Sequence, residues 1–470
     1  MRKITHNAIF STLVGIMVLL SIPMKSHGQN FLNLEELIQE ALKANPEITA
    51  LQKKRDAMWQ RPPQEKSWDD PELTLGVANL STSNFKFNDI DMTMKQIGIT
   101  QNIPMPGITS LKEKAAIQEA KSADQMFADG KLKIIRDVKA AYYNLYINYT
   151  HMQTIEKNNG LTARFIEIAQ KKYEVGKGLQ QDILKAQVEQ SKFIERLVQL
   201  EQLKKSYTAE LNRLLNRDPS TPVDGVPAIT KRTVPLNEAE LQTMALAQNP
   251  VLLSLKHAID KNEADYKLSK KQYFPSVTVS AMYGQREGFR TKDSTFPAAV
   301  LNENGTTSDA LVNVPGQSED RPDVFSFIVG FKVPLWFKNK QNKKVAESFS
   351  LLEEVKAQYA VVQNALFYQI HDLVAKAQKS AHLINLYETG IIPQATQSLN
   401  SAIAAYEVGT VDFLSLIDNQ ITLCNFETQR SELLADYEKE IADLEMVVGK
   451  RFAADAATSS IETHDHAGHK

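Results

Sequence analysis

The chain has a single cysteine, Cys424, among 470 residues. One thiol excludes an intrachain disulfide and any paired-cysteine metal motif. Cys424 lies in a helical pattern, where a small buried side chain packs well. No cysteine follows the apolar run at the N-terminus, so anchoring through an acylated N-terminal cysteine is excluded. Beyond that run, no segment approaches the ~20 apolar residues that a membrane-crossing helix needs. Positive charge is not in excess: 54 Lys and Arg face 56 Asp and Glu, for a net charge of −2. That balance gives no support for nucleic-acid binding. Catalytic patterns are missing too. There is no Ser/His/Asp arrangement, and Gly176-Lys177-Gly178 lacks the rest of a phosphate loop and reads as a turn. His151, His257, His371 and His382 are scattered over helical stretches as packing or surface residues. The expectation is a protein without enzymatic activity and without a cofactor.

The N-terminus is more informative. Arg2 and Lys3 precede an apolar run from Ile9 to Ile22, and Ser26-His27-Gly28 supplies small residues after it. This reads as a secretory signal over residues 1–28. Its removal takes Arg2, Lys3 and Lys25 and leaves a net charge of about −5.

The remaining chain states its plan twice. Ala41-Leu42-Lys43-Ala44-Asn45-Pro46 returns as Ala245-Leu246-Ala247-Gln248-Asn249-Pro250. Tyr173-Glu174-Val175-Gly176 returns letter for letter as Tyr406-Glu407-Val408-Gly409, and Gln187 matches Gln420 in the same register. The first pair is displaced by 204 positions and the second by 233, so an insertion of 29 residues lies between the markers of the second half. A repeat this long is a duplicated half-molecule rather than a solenoid unit. The halves are assigned to residues 29–226 and 227–450, with a disordered tail over 451–470.

Each half reads as helix, two strands and a long helical hairpin. A helix over Leu34–Gln60 carries Leu34, Leu37, Ile38, Leu42 and Ile48 on one face and stops at Pro62-Pro63. Alternation over 72–80 and 92–101 gives two strands. A hairpin over 107–215 follows, with Ile134, Val138, Ala141, Tyr142 and Leu145 at helical spacing, a weak point at Asn158-Asn159-Gly160 and a turn at Gly176. On its return helix, Ile183, Leu184, Val188, Ile194, Leu197 and Leu203 form the apolar stripe. A connector with Pro219, Pro222, Pro227 and Pro235 leads to the second half: helix 236–270, strand 276–285, a long polar loop 285–322, strand 324–333 and a hairpin over 340–448 broken near Gly390 and Pro393. In the last strand Phe325, Phe327, Val329 and Phe331 share one face, and Ser326 and Lys332 the other.

At ~1.5 Å per residue, the run from 107 to 173 would span roughly 100 Å, too long for a compact globule. Four amphipathic strands cannot close a membrane barrel, because the smallest such barrels need eight. Either the hairpins pack in a soluble sandwich, or copies of the chain complete one barrel. The signal, the duplication and the helix lengths favour the second reading.

This layout resembles the TolC-type outer-membrane efflux proteins over about residues 33–450. The two Tyr-x-Val-Gly turns resemble that family's periplasmic tips, and Asp412-Phe-Leu-Ser-Leu-Ile-Asp418-Asn-Gln420 resembles the segment after a tip. Ile103-Pro-Met-Pro-Gly, Val333-Pro-Leu-Trp-Phe-Lys-Asn-Lys-Gln and Asp70-Pro71 resemble the heavy-metal branch of CusC/CzcC type. The resemblance implies a mainly α protein with a transmembrane β part: a homotrimer with one twelve-stranded β-barrel in outer-membrane lipid and a twelve-helix periplasmic α-barrel. It implies a passive duct in a Gram-negative outer membrane, served by a periplasmic adaptor and an inner-membrane pump of the resistance-nodulation-division (RND) type. Tyr173, Val175, Gly176, Tyr406, Val408 and Gly409 become the docking tips, and Gln181, Asp182 and Asp418 the aperture. Asp418 matches the second of the family's two acidic aperture positions. Ser415 stands at the first, and Val411 stands where some members carry a basic latch. His464, His466 and His469 in the tail form a candidate metal site. Metal ions, drugs and exported proteins all remain open as substrates. A periplasmic adaptor would show one hairpin without the duplication, and a coiled-coil scaffold would lack the strands.

Overall fold

The structure, a computed structural model, describes residues 32–452 apart from 84, 89, 91, 224, 291, 292, 302 and 306. The expected signal and the three tail histidines lie outside the described residues. Arg451 and Phe452, which fall in the expected tail, are held in place: Arg451 pairs with Glu35 and the Phe452 N–H donates to Glu445 at 3.1 Å.

In chain order the first half holds α1 Leu34–Ala44, α2 Pro46–Trp59, α3 Arg61–Lys66, β1 Glu72–Ala78, β2 Met94–Ile103, α4 Ile108–Glu174 and α5 Gln180–Leu214. The second holds α6 Glu238–Gln248, α7 Pro250–Lys271, β3 Ser276–Gln285, β4 Phe289–Arg290, β5 Ser294–Leu301, β6 Thr307–Val314, β7 Ser318–Glu319 and β8 Val324–Lys332. It ends with α8 Gln341–Leu386, a π-turn Tyr387–Ile391, α9 Ile392–Val408 and α10 Phe413–Val448. No helix among the described residues is long and apolar enough to cross a membrane.

The repeated Asn-Pro divides what the spacing predicts as single helices, 34–60 and 236–270. Proline has no N–H to continue a helix and disfavours helical backbone before it, but it is preformed for a first turn. Asn45 and Asn249 therefore leave the helix and cap the next one, accepting from Glu47 N–H at 2.8 Å and Leu252 N–H at 3.0 Å. The same amides donate to Leu214 O at 2.9 Å and Val447 O at 2.8 Å. Each asparagine thus starts one helix and satisfies the end of another. Pro62-Pro63 likewise opens α3 rather than ending a helix.

Two expected breaks close up. Helix α4 runs 67 residues without interruption through Asn158-Asn159-Gly160. Asn158 is buried and donates to Thr154 O at 2.8 Å, while Gln420 Nε2 donates to Asn158 O at 2.9 Å. Tertiary partners absorb the polar groups that would otherwise unravel that turn. Near Gly390 and Pro393 the chain stays helical through the π-turn, where the Ile392 N–H donates five residues back to Tyr387 O. The widened turn accommodates the missing proline N–H.

The four principal strands form one antiparallel sheet in the order β1-β2-β3-β8, not two separate hairpins. Register carries the same face across all four strands: Leu75 opposes Ile97, Ile97 opposes Tyr283, and Tyr283 opposes Phe325. The opposite face carries Thr74, Thr100, Ser280 and Ser326, with Thr100 and Ser280 hydroxyls 2.9 Å apart. The segment expected as a loop over 285–322 contains two further strand pairs, β4–β7 and β5–β6.

The main core lies where α1, α4, α6, α8 and α10 meet, and Ile134, Val138, Ala141, Tyr142 and Leu145 are all buried there as their spacing predicts. Beside it, four charges fasten the connector between the halves. Lys139 and Arg232 Nη1 (3.2 Å) both pair with Glu445, and Arg232 Nε pairs with Glu438 at 2.6 Å. Tyr143 OH also donates to Glu438, at 3.3 Å. Burial depresses the pKa of Lys139 against the pull of Glu445. Burial also works against the charge on Arg232, but Glu438, Tyr143 and Glu445 outweigh it and raise its pKa.

The predicted stripe on α5 is not the buried face. Ala186, Phe193, Leu200, Leu211 and Leu214 are the buried apolar residues, whereas Ile183 and Leu197 are half-buried, Leu203 is exposed, and Leu184, Val188 and Ile194 are more than half exposed. The spacing detected a second apolar face that the single chain leaves uncovered.

Candidate channel wall, tips and aperture

The two tips reverse by the same device. At the first, Gly176 N–H donates to Tyr173 O and Lys177 N–H to Lys172 O; at the second, Gly409 N–H donates to Tyr406 O and Thr410 N–H to Ala405 O. This paired closure needs a left-handed residue at its corner, and Gly176 (φ +72°) and Gly409 (φ +83°) supply it. That requirement explains why glycine recurs at both corners. Asp412 then caps α10 by accepting from Ser415 N–H at 2.9 Å. Ser415 holds the Asp412 carboxyl below the usual carboxylate range.

The tips are equivalent in backbone but not in burial. Tyr406 is 5% exposed, beneath Lys172 Nζ at 4.3 Å from its ring and against Phe413 at 5.4 Å. Its hydroxyl has no hydrogen-bond partner among the described residues, and its pKa is raised by burial and then by Asp182. Tyr173 is 49% exposed, as are most tip residues around it, Val175 and Val408 included.

Gln181 and Asp418 come together in one groove of about 460 Å³ between α5 and α10. Asp182, the third expected aperture residue, does not line that groove. The groove also holds Lys185, Glu189 and Lys192, which sequence reasoning missed. Helical spacing could have found them, since 181, 185, 188 and 192 fall on one face. A polar knot, also missed, lies next to the tip core: Gln420 is fully buried and donates to Thr162 Oγ1 and Asn158 O, both at 2.9 Å. Its repeat partner Gln187 is exposed. Among the described residues there is no group of three or more His, Cys, Asp or Glu suited to a metal ion.

At the other end, the apolar face of the sheet is open. Leu75 is 72% exposed and Phe325 70%, and Phe327 and Phe331 are comparable. Trp68, Phe274 and Trp336 stand exposed where the helices meet the sheet. A large apolar face rimmed by aromatic side chains suits a lipid-facing wall.

The family model described as Outer membrane efflux protein matches residues 37–217 and again 241–450. The chain belongs to this family. Outer membrane efflux proteins are channel and transport proteins, and the two matched segments together span both long hairpins. No curated protein matches the chain. Among solved structures, the outer membrane protein VceC from Vibrio cholerae is similar at 16% identity and TM-score 0.69, over 89% of this chain and 97% of that one. CusC is similar at 14% identity and TM-score 0.71, over 89% and 92%. The Campylobacter jejuni CmeC outer membrane channel is similar at 12% identity and TM-score 0.70, over 88% and 85%. At these identities the shared feature is the fold: this efflux protein has the architecture of outer membrane channels.

Proposed function

We propose that three copies close one twelve-stranded barrel, and that the protein is the outer-membrane exit duct of a tripartite efflux assembly. The observation that carries this is the sheet. It has one apolar and one polar face, and among the described residues β1 and β8 each lack a partner on their outer edge. Open edges are not tolerated in lipid, so other copies must pair them. Two copies would give eight strands and a filled interior, whereas three give twelve and leave a lumen. Ten-residue strands at ~3.4 Å per residue, tilted by ~40°, rise roughly 26 Å, which matches the ~25 Å apolar band of such barrels. The protein should therefore run as a heat-modifiable trimer from an outer-membrane fraction. A monomer soluble without detergent would overturn the reading.

The tips then form the surface that docks a periplasmic adaptor, itself seated on an RND-type inner-membrane pump. A Cβ on Gly409 would meet nothing within 4 Å, so substitution there acts through backbone strain alone. Gly409→Val should cost about 1–2 kcal/mol locally and distort the tip. Trimers are expected to assemble yet lose crosslinking to the adaptor. Full crosslinking and full efflux would remove the tip from the docking surface.

Asp418 is assigned to the aperture, where three copies would gather three carboxylates about one axis and attract cations. Heavy-metal ions are the substrate class we assign, supported by the motifs around 103–107 and 333–341. Lys185 and Lys192 in the same groove temper the acidic field. Asp418→Asn should lower cation selectivity and divalent block of single channels in planar bilayers. Unchanged selectivity and block would assign the gate elsewhere and favour drugs or polypeptides as cargo.

A further inference from the structure

The 29 extra residues of the second half build a separate ribbon. Strands β5 and β6 pair from Ser294↔Val314 to Leu301↔Thr307. Within 294–314 the only charged side chains are Glu303 and Asp309. Phe296, Leu301 and Leu311 are 58%, 71% and 76% exposed, and Val312 and Val314 are also open. An isolated two-stranded ribbon is marginally stable in water. An exposed apolar edge strand also invites pairing with another chain.

The base of the ribbon is fastened. Arg286 N–H donates to Asp323 at 3.0 Å, and Arg286 Nε to Pro322 O at 3.1 Å. Lys95 pairs with Glu287 at 2.8 Å, and Gly316 N–H donates to Asp293 at 2.7 Å. These polar groups form a collar at the end of β2, β3 and β8 that points away from the helices. The collar separates the ribbon from the apolar band, so lipid tails do not cover it. With two charges on the whole ribbon, complementarity to a charged partner is absent as well.

We propose that the ribbon's occupant is the same ribbon of neighbouring copies, and that together the ribbons narrow the outer mouth of the duct. This rests on the trimeric barrel. Twelve strands spaced ~4.8 Å and tilted ~40° give a radius of roughly 12 Å. Three ribbon roots on that circle stand roughly 20 Å apart, while eight residues at ~3.4 Å make each ribbon about 27 Å long. The ribbons reach one another whether they lean inward or along the rim. Each springs from between β3 and β8, next to the free edge that a neighbour must pair.

The test uses the full chain with Cys424→Ser and Leu311→Cys, treated with a flexible bifunctional thiol reagent in the outer membrane. Covalent dimers that survive boiling are expected, since one thiol per copy lets the reagent join copies only in pairs. A second variant replaces 294–314 by a short Gly-Ser link and should conduct severalfold more than the parent in planar bilayers. Heat-modifiable trimers are scored separately before boiling, so failure of the barrel reading is seen on its own. Intact trimers without a covalent dimer, or a ribbon deletion with unchanged conductance, overturn the proposal.

Discussion

Glu445→Ala is expected to cost about 3–5 kcal/mol, the largest loss for any single side chain in the helical part. Glu445 is 2% exposed and, among the described residues, is the carboxylate that pairs with Lys139, itself 3% exposed. Its other oxygen accepts from Arg232 at 3.2 Å and from Phe452 N–H at 3.1 Å. Removing the carboxylate strands a buried ammonium and releases the Phe452 N–H. Glu438 remains at 2.6 Å from Arg232, but it already serves that guanidinium and the hydroxyl of Tyr143. Removing both members of a buried pair leaves no stranded charge and is often nearly neutral. Lys139→Met with Glu445→Leu should therefore recover most of the loss. Thermal unfolding of detergent-extracted trimers measures both. An unchanged midpoint for Glu445→Ala would mean that water reaches the cluster and screens it.

Phe327→Arg should cost about 2–4 kcal/mol of barrel stability, the range for a charge near the bilayer midplane. Phe327 sits near the middle of β8, opposite Ala281, on the face shared with Leu75 and Tyr283. Ser326→Arg, one residue earlier, points to the polar face and should cost little. The yield of heat-modifiable trimers separates the two variants. Single cysteines at 326 and 327, in a Cys424→Ser background, give an independent reading with a membrane-impermeant thiol reagent. Labelling at 327 with silence at 326 would reverse the two faces.

Much of the fold was legible where one period dominated. Ile134 to Leu145 declared a buried helical face, and Phe325 to Phe331 declared one side of a strand. Both follow from local geometry alone. The asparagines at 45 and 249 were visible as repeat markers, yet their double role was not, since Leu214 and Val447 lie 169 and 198 positions away. The continuity of α4 through Asn158 was hidden for the same reason, because Gln420 supplies the stabilising bond from 262 positions away. The segment 285–322 was misjudged because glycine, proline and asparagine outweighed a short alternation. Of the expected aperture, Gln181 and Asp418 share a groove and Asp182, the next residue round the helix from Gln181, does not. The exposed stripe on α5 shows that sequence spacing can mark an apolar face which the single chain does not bury.

The buried charge cluster also constrains the order in which the chain can fold. Lys139 and Glu445 are 306 positions apart, and β2 finds β3 across more than 170 residues. Such distant pairings must close large loops before any contact rewards them, which slows folding. The central helix of the bundle, α10, is the last element made. The two helical hairpins are local and can form early, but the connector cannot lock until the final thirty or so residues arrive. A nascent chain therefore has no completed core until α10 has been made. Its commitment to the native state comes at the end of synthesis, not along the way.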